Sequence, residues 1–380
     1  MKPPLLEKVS EFVLKRKSEF LFRELAPCGF DFRIDMSSNS YLALQSCRDV
    51  KKTAAELTGN CYCGNLASRL IAQTSPLYDQ LELELADWKK SESALVFNSG
   101  YAANIGILQA FCSRHTDIFC DKLNHASIID GCRLSGGRLV RYRHNDMADL
   151  ERHLSGSKSA EKMIVTDTVF SMDGDRAPLE EICGLGEKYG CVVMVDEAHG
   201  TGIFGSTGSG IVEQTDVGEK VHIRVGTLSK AVSGLGGFFT GSREIKDYLV
   251  NSARSLIYST GLPHPVIAYD LAAVRHIRKN SHLGNSLLEL AGLFRSELGR
   301  AGFDCMNSST QIVPVRMNSS QEAIALSDHL KSKGIFAPAI RPPTVPQGTE
   351  RIRFSVHLGL DIDNLREVVS IMKEWKKRDG

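Results

Sequence analysis

The chain has 380 residues, with 46 Lys and Arg against 45 Asp and Glu and a formal net charge of +1. Such a balance excludes charge steering toward nucleic acid or an anionic membrane. No apolar run is long enough to span a bilayer and Met1–Phe12 has no signal-peptide pattern, so a cytoplasmic protein is expected. The length exceeds one ordinary core. We expect an N-terminal helix and arm over 1–45, a large α/β domain over 46–265 and a small α+β domain over 266–380. The ten cysteines read as reduced thiols, since the Cys61–Cys63 pair has no second pair at zinc-ligand spacing.

In chain order, Leu6, Val9, Val13 and Phe20 predict an amphipathic helix over Leu5–Leu25. Phe30–Met36 alternates as a short strand, Ser37–Ser40 is a turn, and Ser46–Leu57 reads as helix. Asn60–Thr74, rich in Gly, Asn, Ser and Cys around Arg69, is either a surface loop or a binding loop. Pro76 opens a helix reaching about Lys90. Ala94–Phe97 is a buried strand, followed by Asn98-Ser99-Gly100-Tyr101 and a helix over Ala102–Phe111. That turn is either a plain tight turn or an anion site built from free helix N–H groups.

Strand and helix then alternate. Strands fall at Asp117–Cys120, Arg138–Tyr142 and Met163–Thr166; helices open at His125 and cover Leu179–Tyr189. The alternation predicts an α/β domain with a mostly parallel sheet covered on both faces. Cys191–Val195 is its most apolar strand and delivers Asp196 and His199 to the carboxyl edge, where ligands bind. Val221–Val225 runs into Gly226-Thr227-Leu228-Ser229-Lys230, after which turns and a helix start are expected. Beyond Leu262-Pro263 comes one long helical region, Val266–Gly299. Strands at Ile312–Arg316 and Arg351–Val356 and helices at Gln321–Lys333 and Asp363–Lys376 complete a small α+β unit. Arg341–Pro346 is a rigid connection, because its prolines fit neither helix nor central strand.

Two motif matches fail on context. Asp196-Glu197-Ala198-His199 spells a helicase acidic box, but the chain has no Gly-Lys dipeptide for a Walker A partner. Gly200, Gly202 and Gly205 fit a dinucleotide fingerprint, yet Ser206–Gly210 continues as loop where a helix should open. A metal reading of Asp196, Glu197 and His199 fails as well, because neighbouring residues of an extended segment point to opposite faces.

The combination fits pyridoxal phosphate. A lysine amine binds the aldehyde, a carboxylate keeps the ring nitrogen protonated, and helix N–H groups with hydroxyls hold the phosphate. Singly, Lys230 is an ordinary surface lysine and Asp196 a helix cap. It is the ordered set, Ser-Gly-Tyr, His, Asp-x-x-His and Thr-x-x-Lys, that carries the assignment.

Asn98–Asn104, Asn124–Ser127, Phe170–Asp175, Val195–Gly202 and Thr227–Lys230 resemble the α-oxoamine synthases, fold-type I enzymes dependent on pyridoxal phosphate. The resemblance covers nearly the whole chain. It implies a seven-stranded, mostly parallel sheet with a smaller C-terminal domain, and decarboxylative condensation of an amino acid with an acyl thioester. Ala339–Pro346 is most similar to the biotin-pathway member, which implies L-alanine and a pimeloyl thioester, carried on coenzyme A or acyl carrier protein. By motif position, Lys230 would bind the aldehyde and move the α-proton, Asp196 would pair with the ring nitrogen, and His125 would stack on the ring. His199 and Ser171 would lie near the phenolic oxygen, and Gly100, Tyr101 and Thr227 at the phosphate. Ser259 and Thr260 would reach the phosphate of a partner in a homodimer. Arg341 would grip the amino-acid carboxylate, with Arg23 and Thr344 at the acyl substrate. The chain departs from the family pattern at Leu66-Ala67, Ala72-Gln73, Tyr78 and Ser40, where residues with a Cβ or different polarity stand at the cleft rim. Other amino acids or acyl donors in the same family, and a scaffold subunit without catalysis, are the competing readings.

Overall fold

The computed structural model describes residues 3–22, 32–59, 62–71 and 75–379. Seven strands form one sheet: β1 (Ser93–Phe97), β2 (Thr116–Asp121), β3 (Arg138–Tyr142), β4 (Glu161–Asp167), β5 (Val192–Asp196), β6 (Ile223–Thr227) and β7 (Gly237–Gly241). Their spatial order is β1-β7-β6-β5-β4-β2-β3. The pairs β3/β2, β2/β4, β4/β5 and β5/β6 are parallel, whereas β7 runs antiparallel to both neighbours. This is the mostly parallel α/β sheet that the alternation predicts.

Each central strand is apolar on both sides because both sides are covered. Val193 and Val195 enter one core with the helices Pro76–Trp88, Leu179–Tyr189 and His264–Lys279. Met194 enters the other, with Gly100–Phe111 and Ala126–Ser135. Strand alternation puts successive side chains on opposite faces, so a strand between two helical layers must be apolar throughout. Register decides the rest: Asp167 stands opposite Asp196, and Asp196 opposite Val225. The carboxyl ends of three adjacent strands therefore meet at one edge.

A second sheet follows in the order 339–340, 351–355, 312–316, antiparallel throughout, flanked by Ser320–Ser332 and Ile362–Asp379. Its middle strand reaches back to the first sheet. Arg351 donates to Met172 O at 3.0 Å and to Asp173 at 2.7 Å, and Arg353 Nε donates to Ser171 O at 2.6 Å. Among the described residues, no helix is long and apolar enough to cross a membrane, and the described cysteines are unbridged.

Three expectations change. The region after Lys230 is no helix; it turns through Ala231–Gly236 and returns as β7, because Leu228 and Gly236 pair across the turn (N–H to O, 3.0 Å). The long C-terminal helical region is two helices, His264–Lys279 and His282–Arg300. Asn280 leaves helical geometry at φ −124° and its side chain returns to His276 O at 2.9 Å, a capping role that short amides favour over helix interiors. Of the strand expected over Phe30–Met36, residues 32–36 are described and Ile34–Asp35 is strand, paired in parallel with Ile335–Phe336. The first helix covers Pro4–Ser18 and buries no residue.

Two charged clusters lock the sheet's loops. Buried Lys89 donates to Glu197 at 2.9 Å, to Thr201 at 2.8 Å and to Ser209 O, while Glu197 also accepts from Val212 N at 3.0 Å. Lys89→Ala leaves Glu197 buried without its cation, and urea unfolding is expected to show a loss of roughly 3–5 kcal/mol. His144 bridges Asp121 at 3.0 Å and Asp175 at 2.7 Å, tying the loop after β2 to Phe170–Asp175. Burial opposes its charge, but the two carboxylates outweigh burial and raise its pKa to about 10. The folded value lies above the ordinary value of about 6.5, so this stabilisation is complete below that pH and fades as pH rises through about 10. Urea midpoints of His144→Asn should therefore fall furthest below wild type at mildly acidic pH and converge with it near pH 10.

Candidate active site

The site begins where β5 ends. Asp196 is 4% exposed; its Oδ1 accepts from Ala198 N at 2.8 Å and its Oδ2 from Asn104 Nδ2 at 2.7 Å. Asn104 lies on the helix Gly100–Phe111, and its amide also donates to Ser127 Oγ at 2.9 Å. Ser127 in turn contacts His125 Nδ1 at 2.7 Å. His125 caps the helix Ala126–Ser135, and its backbone N–H donates to Asp167 Oδ2 at 2.7 Å. Strand ends and helix starts are thus sewn together by side chains, which is how a parallel sheet places ligands beyond its carboxyl edge.

Lys230 approaches from the turn after β6. Its Nζ lies 2.9 Å from His199 Nε2, and His199 Nδ1 lies 2.7 Å from the Tyr41 hydroxyl. Burial lowers the lysine pKa to about 8, against the opposing pull of Asp196 and Asp167. Burial also lowers His125 and, with the Lys230 and Arg353 charges, drives His199 well below the ordinary histidine range. Asp167 moves up, through burial first and then the neighbouring Asp196 carboxylate. A lysine whose free amine is accessible near neutral pH is what carbonyl chemistry needs.

Gly100 opens its helix against β6: a Cβ there would stand 3.4 Å from Thr227 Cβ. Gly237 is tighter, since a Cβ would meet Gly100 N and Ser99 O at 2.4 Å. Ser99 caps the helix through Ala102 N at 3.0 Å, and the N–H groups of Gly100 and Tyr101 have no intrahelical acceptor. Thr227 Oγ1 lies 2.8 Å from Ser229 Oγ and donates to Gly236 O at 2.8 Å. Helix N–H groups, two hydroxyls and a nearby amine form a phosphate-and-aldehyde donor set. These residues fit pyridoxal phosphate.

The structure brings Lys230, His199, Asp196, His125, Gly100 and Thr227 to one edge. Tyr101 borders them, its ring edge-on to His125 with centroids 6.5 Å apart and its hydroxyl donating to Asp130 at 2.5 Å. Ser171 and Thr344 line a cavity of about 810 Å³ that also takes in His125, Arg141 and Arg351. Arg341 stands just outside it, with its guanidinium on Phe20 O. Ser259 and Thr260 lie on an outer segment, where Thr260 O accepts from Asn98 at 2.6 Å and Thr260 pairs with Ser68. Arg23 and the Ala72-Gln73 departure lie outside the described residues.

Residue-by-residue reading of the sequence leaves out Asn39, Tyr41, Asn104, Asp167 and Arg353. Arg353 Nη2 meets Asn39 Oδ1 at 3.2 Å, Asn39 accepts from Tyr41 at 3.0 Å, and Tyr41 meets His199. Only Arg353 leaves a local signal: in Arg351-Ile-Arg-Phe-Ser355, two arginines alternate in a fully buried strand, and buried guanidinium needs a partner. Asn39 and Tyr41 have none, since the partners that bring them to the site, His199 and Arg353, are over a hundred residues away.

Comparison with known proteins agrees with this chemistry. Residues 33–372 match the profile of the family described as aminotransferase class I and II. The chain is 45% identical over 349 residues to a putative 8-amino-7-oxononanoate synthase of Geobacillus kaustophilus, covering 91% of this chain and 90% of that one. It is 44% identical over 348 residues to the 8-amino-7-oxononanoate synthase of Geobacter sulfurreducens, covering 91% and 89%. It also superposes on a solved serine palmitoyltransferase variant from S. paucimobilis with pyridoxal phosphate bound, with a TM-score of 0.92, 26% identity and 99% of each chain covered. The chain therefore belongs to the aminotransferase class I and II family and, within it, to the α-oxoamine synthases, as an acyltransferase dependent on pyridoxal phosphate.

Proposed function

We propose that this enzyme condenses L-alanine with a pimeloyl thioester, releasing carbon dioxide and the free thiol and forming 8-amino-7-oxononanoate for biotin biosynthesis. The observation that carries this reading is the near-full-length similarity to synthases of that name. The Ala339–Pro346 segment supports it from the sequence side. When bound, pyridoxal phosphate supplies an electron sink for charge left at the amino-acid α-carbon. Lys230 would hold its aldehyde, Asp196 its ring nitrogen, His125 its face, and Gly100, Tyr101 and Thr227 its phosphate, with His199 and Ser171 near the phenolic oxygen.

The chain's own groups then divide the work. The Lys230 amine, with its pKa lowered to about 8, takes the α-proton of alanine and later returns one. The bond formed joins that carbon to the acyl carbonyl; the bonds broken release thiol and the alanine carboxyl as carbon dioxide. Two guanidinium groups would hold the carboxylate. Arg353, anchored by Ser171 O, Ser355 and Asn39, offers a planar guanidinium suited to a carboxylate, and Arg341 would approach from the 341–346 segment. The acyl chain would occupy the cavity of about 810 Å³ between His125 and Val345, with Thr344 on its wall; Arg23, outside the described residues, would meet the same substrate.

We further propose a cytoplasmic homodimer with shared sites. Leu66 adopts φ +59°, a left-handed backbone that costs a residue with a Cβ roughly 1–2 kcal/mol, yet its side chain is 83% exposed. Ile71 at 82% and Tyr258 at 71% continue an apolar surface beside Ser259 and Thr260. Covering by a second copy explains that surface and brings Ser259 and Thr260 toward a partner's phosphate site.

Titration of the loaded enzyme's visible absorption with L-alanine, glycine and L-serine tests the substrate, with Lys230→Ala as control. The expected result is a saturable shift at lowest concentration with alanine and loss of the lysine-linked band in the variant. A response to glycine or serine alone would replace alanine within the same family, a reading the serine palmitoyltransferase likeness favours. For the dimer, sedimentation velocity should show two copies in wild type, and Tyr258→Glu should yield monomer with cofactor affinity weakened roughly tenfold or more, the scale of one buried contact.

A further inference from the structure

We propose that Tyr41 is a positioning residue that holds His199 in its Nδ1–H tautomer and so presents the Nε2 lone pair to Lys230. The consequence for catalysis rests on the role proposed above for Lys230; the tautomer itself follows from the chain's own hydrogen bonds.

The guanidinium of Arg353 can only donate. Its Nη2 lies 3.2 Å from Asn39 Oδ1, and Ser355 Oγ lies 3.4 Å from the same atom. The Asn39 amide is thereby oriented with oxygen toward the arginine, since an NH₂ group there would face another donor. The Tyr41 hydroxyl is 3.0 Å from that oxygen. An amide oxygen carries no proton, so the contact is made by the tyrosine proton. At 2.7 Å from His199 Nδ1, the Tyr41 oxygen then has no proton to give and accepts one. Nδ1 is the protonated nitrogen, and which nitrogen keeps the lone pair is set by what the other one meets.

Nε2 faces Lys230 Nζ at 2.9 Å. Burial and the charges on Lys230, Arg353 and His125 keep the ring neutral, leaving this nitrogen as an acceptor. Gln311 Nε2 donates to His199 O at 3.0 Å, fixing the backbone that carries the ring, and Tyr41 is fully buried beside Nδ1. While Lys230 is an ammonium, the opposite tautomer would set an N–H against its donors.

The test is ring ¹⁵N NMR of the histidine-labelled chain without cofactor, with the His199 signals assigned by His199→Asn. Wild type is expected to show a protonated Nδ1 and a lone-pair Nε2. Tyr41→Phe leaves Nδ1–H without an acceptor, worth roughly tenfold or more in the tautomer ratio toward Nε2–H. Asn39→Ala frees the tyrosine proton for Nδ1 and should shift the ratio the same way. In the loaded enzyme, Tyr41→Phe should lower kcat on the order of 100-fold with little change in KM, the scale of a misplaced proton acceptor. An Nε2–H ring in wild type overturns the proposal, as do folded variants with an unchanged ratio; a purely structural role would move the melting temperature only. Failure to take up pyridoxal phosphate would instead sink the proposed function and leave the tautomer assignment standing.

Discussion

Two carboxylates, Asp167 and Asp196, stand side by side at the carboxyl ends of adjacent parallel strands, both inaccessible to water. Buried like charges repel, and a buried charge without partners is among the costliest features a fold can hold. The surrounding architecture answers that problem. A helix start brings the His125 backbone N–H, the turn after β5 brings that of Ala198, Asn104 brings an amide, and the turn after β6 brings a lysine. What relieves the acids also gathers a buried lysine, an imidazole and free helix N–H groups at one edge of the sheet.

The second sheet enters the same economy of charge. Arg353 reaches across from its middle strand to Ser171 O and Asn39, and Arg351 reaches to Asp173. The loop carrying Ser171 is thus held from one side by arginines and from the other by His144 through Asp175. A loop clamped between two rigid layers keeps its groups in place without carrying regular structure itself, which is how scaffolds position functional loops.

Glu197 shows how neighbours in sequence take unrelated work. It follows Asp196 directly but turns away to Lys89, as extended geometry requires. The acidic box that resembles a helicase motif is therefore one acid at the sheet's carboxyl edge and one structural ion pair. Tyr78, a departure from the family pattern, has a comparable local explanation. Its hydroxyl accepts from Leu262 N at 2.6 Å while its ring lies under Arg69, fixing the segment that carries Ser259 and Thr260.

Much was legible from the chain alone. Apolar runs of the right length gave β1, β2, β4 and β5, and ordered motifs singled out Lys230, Asp196, His125 and His199, which the fold brings to one edge, since each lies within a few residues of a strand end or helix start. Local periodicity and capping chemistry set these features, and they are written within a dozen residues. β7 escaped because its glycines weaken a strand signal and its reversal is fixed by partners on both sides. The meeting of Asn39, Tyr41 and Arg353 with His199 escaped for a stronger reason. No local rule links residues more than 150 positions apart. Sequence determined which groups were available at the sheet's edge; only tertiary packing decided which of their protons and lone pairs face one another, because hydrogen-bond direction depends on partners that folding alone brings within 3 Å.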